Sequence, residues 1–130
     1  MPNMPNMPKK ILIVEDDLIL ASALRSSLEE EGFEVIEAHD GIDGLIMAEK
    51  NLPDLTLCDI NMPKMNGLEM LDKMRSTKWG QYLSVIMLTN LTDKENISMA
   101  LKHSAFRYFV KSDWDLSQII EEIKKELKVS

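Results

Sequence analysis

Asp59 stands where a short apolar run, Leu55-Thr56-Leu57-Cys58, breaks into Asn61-Met62-Pro63, and Glu15 with Asp16 follow the run Ile11 to Val14 in the same way. Thr89 and Lys111 close two further apolar runs. Such groups converge on one pocket if the runs are parallel strands, because ligands of open α/β sheets gather outside the carboxyl ends of the strands. Clustered carboxylates raise one another's pKa unless a cation neutralises them. An all-oxygen donor set, with no paired His or Cys, selects Mg2+ or Mn2+ over zinc. Lys111 adds a point charge for an anionic oxygen and Thr89 one hydroxyl donor, so the pocket suits a phosphoryl group. A carboxylate can itself be the nucleophile that forms an acyl phosphate. Asp59 is the candidate: it stands alone at the centre of the row, whereas Glu15 and Asp16 come as a pair, as metal ligands do.

The elements that must position these residues follow from hydrophobic period. Ile11 to Val14 is apolar throughout, as a strand buried on both faces must be, and Leu20, Ala21, Leu24 and Leu28 then recur at helical spacing. Gly32 ends that helix, Phe33 to Glu37 alternates as a second strand, and Asp40-Gly41 opens a helix whose apolar face reads as Ile42, Leu45 and Ile46. Leu52-Pro53-Asp54 breaks the chain before strand three, and Asn66-Gly67 opens a helix facing inward through Leu68, Leu71 and Met74. Leu83 to Leu88 reads as strand four. Thr92 with Glu95 has the capping-box pattern ahead of Ile97, Ala100 and Leu101, and Phe106 to Val110 reads as strand five. A last helix carries Leu116, Ile119, Ile120, Ile123 and Leu127. Five strands alternating with five helices through right-handed crossovers give an α/β, doubly wound parallel sheet of order 2-1-3-4-5, helices on both faces. In that order strands one and three are neighbours, which brings Glu15, Asp16 and Asp59 to the switch point.

Composition narrows the function. A length of 130 residues with 45% hydrophobic content fits one domain with a real core. The net charge of -7 disfavours direct nucleic-acid contact, which needs a basic patch. One cysteine, Cys58, excludes an internal disulfide, and no apolar stretch is long enough for a bilayer, so a cytoplasmic setting is expected. Residues 1–8 repeat a Met-Pro-Asn unit whose prolines forbid a helix, and we expect a flexible N-terminal arm.

These segments resemble the receiver domain of two-component response regulators, similar in size to the single-domain chemotaxis regulators. The resemblance covers residues 9–128 and rests on Ile11-Leu12-Ile13-Val14-Glu15-Asp16-Asp17, Asp59-Ile60-Asn61-Met62-Pro63 with Met65-Asn66-Gly67-Leu68-Glu69, Met87-Leu88-Thr89, and Tyr108-Phe109-Val110-Lys111. It implies a flavodoxin-like fold and a switch in which Asp59 accepts a phosphoryl group from a histidine kinase or histidine phosphotransfer protein. It implies Mg2+ on Asp16, Asp59 and the Asn61 backbone carbonyl, with Glu15 acting mainly through a bound water. Thr89 and Lys111 would hold phosphoryl oxygens, and Tyr108 would change rotamer with Thr89. The face of the fourth helix, fifth strand and fifth helix would then shift to control a downstream protein, or a homodimer. Such a domain is no turnover enzyme; it accepts the group and slowly releases it. Ser112, Asn90 and Ser104 depart from the family, which commonly has proline, a small Ala or Gly, and glycine there.

Plainer readings apply elsewhere. Asp17 fits a helix cap, Cys58 a buried small hydrophobe, and His39 and His103 exposed ends of elements. The methionines fit core packing or the arm, and Trp79 and Trp114 carry at most a partner contact. Two rival functions remain: a receiver-like interaction module that is never phosphorylated, and a flavodoxin-like cofactor domain. The Glu15-Asp16-Asp17 run would repel the phosphate of a flavin.

Overall fold

The computed structural model describes residues 8–89, 107–110 and 115–129; of Thr89 and residues 107–110 it describes the backbone. Residues 1–7 of the expected arm, the expected helix after Thr92, and Asn90, His103, Ser104, Lys111, Ser112 and Trp114 lie outside the described residues. The strands are β1 (Lys10–Val14), β2 (Glu34–Ala38), β3 (Leu55–Asp59), β4 (Val85–Thr89) and β5 (Arg107–Val110). The helices are α1 (Leu18–Glu30), α2 (Gly41–Asn51), α3 (Gly67–Arg75) and α4 (Leu116–Leu127). All strand pairs are parallel and the sheet order is β2-β1-β3-β4-β5, the expected order.

β1, β3 and β4 lie inside the sheet, so their near-continuous apolar runs are buried on both faces. Side chains alternate along a strand. Ile11, Ile13, Leu55, Leu57, Ile86 and Leu88 therefore pack with Leu24 and Leu28 of α1 and Ile119, Ile120 and Ile123 of α4. Leu12, Val14, Cys58, Val85 and Met87 join the opposite cluster, with Ala48 of α2 and Leu68, Met70, Leu71 and Met74 of α3. Lys124 of α4 ties the first layer together by pairing with Glu31 at the end of α1, 2.7 Å away. The helices begin as their sequences require. Asp17, Asp40, Asn66 and Asp115 are the N-caps, and Asn66 with Glu69 and Asp115 with Gln118 complete capping boxes.

α2 corrects one expectation. Ile42 and Ile46 are exposed, and the buried positions are Gly41, Gly44 and Ala48, with Leu45 half-buried. The helix lies so close to the sheet that a Cβ on Gly44 would come within 2.7 Å of Met70 Sδ and 2.8 Å of Val14 Cγ1. Small residues, not large apolar ones, mark its inward face.

Candidate functional site

The rim is built from two strand ends. β1 ends at Val14, and the chain turns through Glu15 and Asp16 to Asp17, whose carboxylate accepts from the amides of Ile19 and Leu20 at 3.1 and 3.2 Å. Asp17 is thus the cap its position suggested. The Glu15 amide donates to the Ala38 carbonyl at 3.0 Å, and Glu15 Oε2 accepts from the Asp17 amide at 3.1 Å. Asp59 ends β3, and its Oδ1 accepts from the Asn61 amide at 3.2 Å.

The loop from Ile60 to Asn66 is closed on itself and on its neighbours. The Ile60 amide donates to the Leu88 carbonyl and the Gly67 amide to the Ile60 carbonyl, both at 2.9 Å. α3 starts directly against the Asp59 main chain, for a Cβ on Gly67 would collide with the Asp59 carbonyl. On the far side the Gly41 amide donates to the Met65 carbonyl at 3.1 Å, and Lys64, in the left-handed region at φ 66°, lies 3.6 Å from Asp40. The strand-to-helix approach therefore sets where the Asp59 main chain stands.

One carboxylate oxygen from each of Glu15, Asp16 and Asp59 lies within 4.8 Å of the others. Glu15 and Asp59 are buried, at 1% and 2% exposure, and Asp16 is exposed, so solvent reaches the cluster from the Asp16 side. The negative field is felt next door: burial first, then the charges of Asp59 and Glu15, push the Cys58 thiol far up, which keeps it protonated and inert. Three carboxylates in so little space are the hard oxygen donors that a small divalent cation prefers. The residues present fit Mg2+.

The other expected residues are placed by backbone alone. Thr89 ends β4, one residue beyond Leu88, which is in register with Asp59. Tyr108 is in register with Met87, and Val110 with Thr89, so β5 ends at the same rim as β4. Lys111 itself is outside the described residues. Two contacts go beyond the sequence reading. Gly67, a helix-start and motif residue, lets α3 approach the Asp59 carbonyl, and His39, exposed as expected, has Nδ1 2.9 Å from the Glu15 carbonyl.

A family model, the response regulator receiver domain, matches residues 11–124. The chain belongs to that family. The transcriptional regulatory protein PdtaR of Mycobacterium tuberculosis is 31% identical over 125 residues, which are 95% of this chain and 58% of PdtaR. The Regulator of RpoS of Escherichia coli K12 is 34% identical over 119 residues, 92% of this chain and 35% of that protein. The chain thus spans 58% and 35% of the length of these curated relatives. Among solved structures, a CheY-like receiver domain protein from Methanospirillum hungatei JF-1 superposes with a TM-score of 0.86 at 34% identity, over 94% of this chain and 95% of that one. Phosphorylation on an aspartate and Mg2+ at an acidic pocket are general to receiver domains, and Glu15, Asp16 and Asp59 form that pocket here. Among the described residues no helix is long and apolar enough to cross a membrane.

Proposed function

We propose that residues 9–128 form a phosphorylation-activated switch in which Asp59 is the phosphoacceptor. The observation that carries this reading is the convergence of Glu15, Asp16 and Asp59 within 4.8 Å at one rim. An Asp59 oxygen attacks the phosphorus of a phosphohistidine on a histidine kinase or phosphotransfer protein. The P–N bond breaks, and its electron pair stays on the imidazole nitrogen, which then takes a proton. Asp16, Asp59 and the Asn61 carbonyl, with Glu15 through a water, would hold Mg2+, which supplies positive charge to the transferring oxygens. The Asn61 amide orients the Asp59 carboxylate through its bond to Oδ1. Thr89 and Lys111 take the remaining phosphoryl oxygens in this scheme, Tyr108 follows Thr89, and β5 with α4 carries the change to a downstream protein.

The chain is a stoichiometric acceptor that releases its phosphoryl group slowly, without turnover on a second substrate. Incubation with acetyl phosphate tests the reading by intact mass. Wild type gains one phosphoryl group with Mg2+ present, gains none with a chelator, and Asp59→Asn gains none under either condition. Wild type that never gains the group, while binding partners equally well with Asp59→Asn, would make the chain an interaction module instead.

A further inference from the structure

We infer that His39 is a positioning residue for the cation site, an inference that rests on reading Glu15, Asp16 and Asp59 as its ligands. The parallel register of β1 and β2 runs from Lys10 opposite Glu34 to Val14 opposite Ala38, and its continuation sets Glu15 opposite His39. The ladder does continue on one side, where the Glu15 amide donates to the Ala38 carbonyl at 3.0 Å. Beyond His39 the main chain turns away: Asp40, at φ -152° and ψ 170°, caps α2 and accepts from the Asp43 amide at 2.8 Å. A side chain then stands in for the next ladder donor. His39 Nδ1 lies 2.9 Å from the Glu15 carbonyl, and since a carbonyl can only accept, that nitrogen carries the hydrogen.

Nε2 faces Glu37 Oε1 at 3.8 Å, an ion-pair distance beyond hydrogen-bond range, so the hydrogen bond to the Glu15 carbonyl is the directional contact on the ring. The imidazole thus pins the main chain at the one turn that delivers two of the three clustered acids. Glu15 is buried, with Oε2 held by the Asp17 amide at 3.1 Å, and Asp16 is exposed; both side chains leave the main chain that the His39 bond holds. Nothing in the sequence spacing announces this, because the bond joins a side chain to a main-chain atom 24 residues away.

The experiment is a calorimetric Mg2+ titration of the full chain, with acetyl phosphate uptake followed at limiting and at saturating Mg2+. His39→Leu should weaken Mg2+ binding by ~3- to 10-fold, the range for loss of one hydrogen bond, and raise the Mg2+ concentration needed for half-maximal uptake by the same factor. His39→Asn, whose amide nitrogen can reach the place of Nδ1, should restore the affinity to within ~2-fold of wild type, the remainder being imperfect bond geometry. Equal Mg2+ affinity in wild type and His39→Leu, or equal weakness in the Leu and Asn variants, would overturn the inference. Should His39→Leu fail to fold by circular dichroism, His39→Ala is titrated in its place against the same outcomes. A wild type that binds no Mg2+ would instead overturn the underlying reading of the three acids.

Discussion

The two faces of the sheet are built from different materials. On the α1 and α4 side the core is Ile and Leu almost throughout, including Ile11, Ile13, Leu24, Leu28, Leu57 and Ile123. On the α2 and α3 side it holds Ala38, Ala48, Cys58, Met70, Met74 and Met87, and its helices approach through glycines. The branched aliphatics maximise buried apolar area in well-defined rotamers. The small residues bring helix starts against strand ends, and the unbranched methionines fill what is left. The loop from Ile60 to Asn66 and the Asp59 carbonyl are held from this second side, by Gly67 and Gly41. One face holds the fold and the other sets the geometry of the site.

The division can be broken at single positions. Gly67→Ala should have the largest effect on function, since its Cβ would push on the Asp59 carbonyl. A displacement of about 1 Å there is expected to slow phosphoryl acceptance by roughly 100-fold, measured as the initial rate with acetyl phosphate. Leu24→Ala on the opposite face should do the reverse. Leu24 is fully buried, and its truncation should cost about 2–5 kcal/mol in urea unfolding, with an unchanged uptake rate where the protein remains folded. Equal slowing in both variants would erase the distinction between the faces.

The smallest effect sharpens the comparison at the cap of α2. The amide of Asp43 first, and then nearby Lys64, hold the Asp40 carboxyl below its ordinary value. A group whose folded pKa is depressed stabilises the fold above its unfolded pKa, near 4, and that contribution is lost as pH falls through the lower folded value. Asp40→Ala should therefore cost about 1 kcal/mol at neutral pH, the usual loss for a cap, and the gap from wild type should narrow as pH drops below about 4. Urea unfolding of both proteins across that range reads it. A gap that widens on acidification would contradict the assignment.

How much of this was legible in the sequence follows the same division. The apolar runs of β1, β3 and β4 announce strands buried on both faces, and the acids that end β1 and β3 announce the rim, because alternation and strand order are enough to place them. α2 was misread at Ile42 and Ile46, since a hydrophobic pattern favours large residues and gives no weight to the Gly41, Gly44 and Ala48 face that close packing uses. His39 was legible only as an exposed end, for a side chain donating to a distant carbonyl leaves no periodicity. The motifs pointed to Thr89, Tyr108 and Lys111, and their backbone register carries the first two to the rim strands.

The most direct measurement traps the modified residue chemically. After exposure to acetyl phosphate and Mg2+, borohydride reduces an acyl phosphate to an alcohol, so a phosphorylated aspartate becomes homoserine in the digested peptide. The account predicts homoserine at position 59 alone, and only when Mg2+ is present. Homoserine at Asp16 or elsewhere with position 59 intact, or an equal yield without divalent ions, would contradict it.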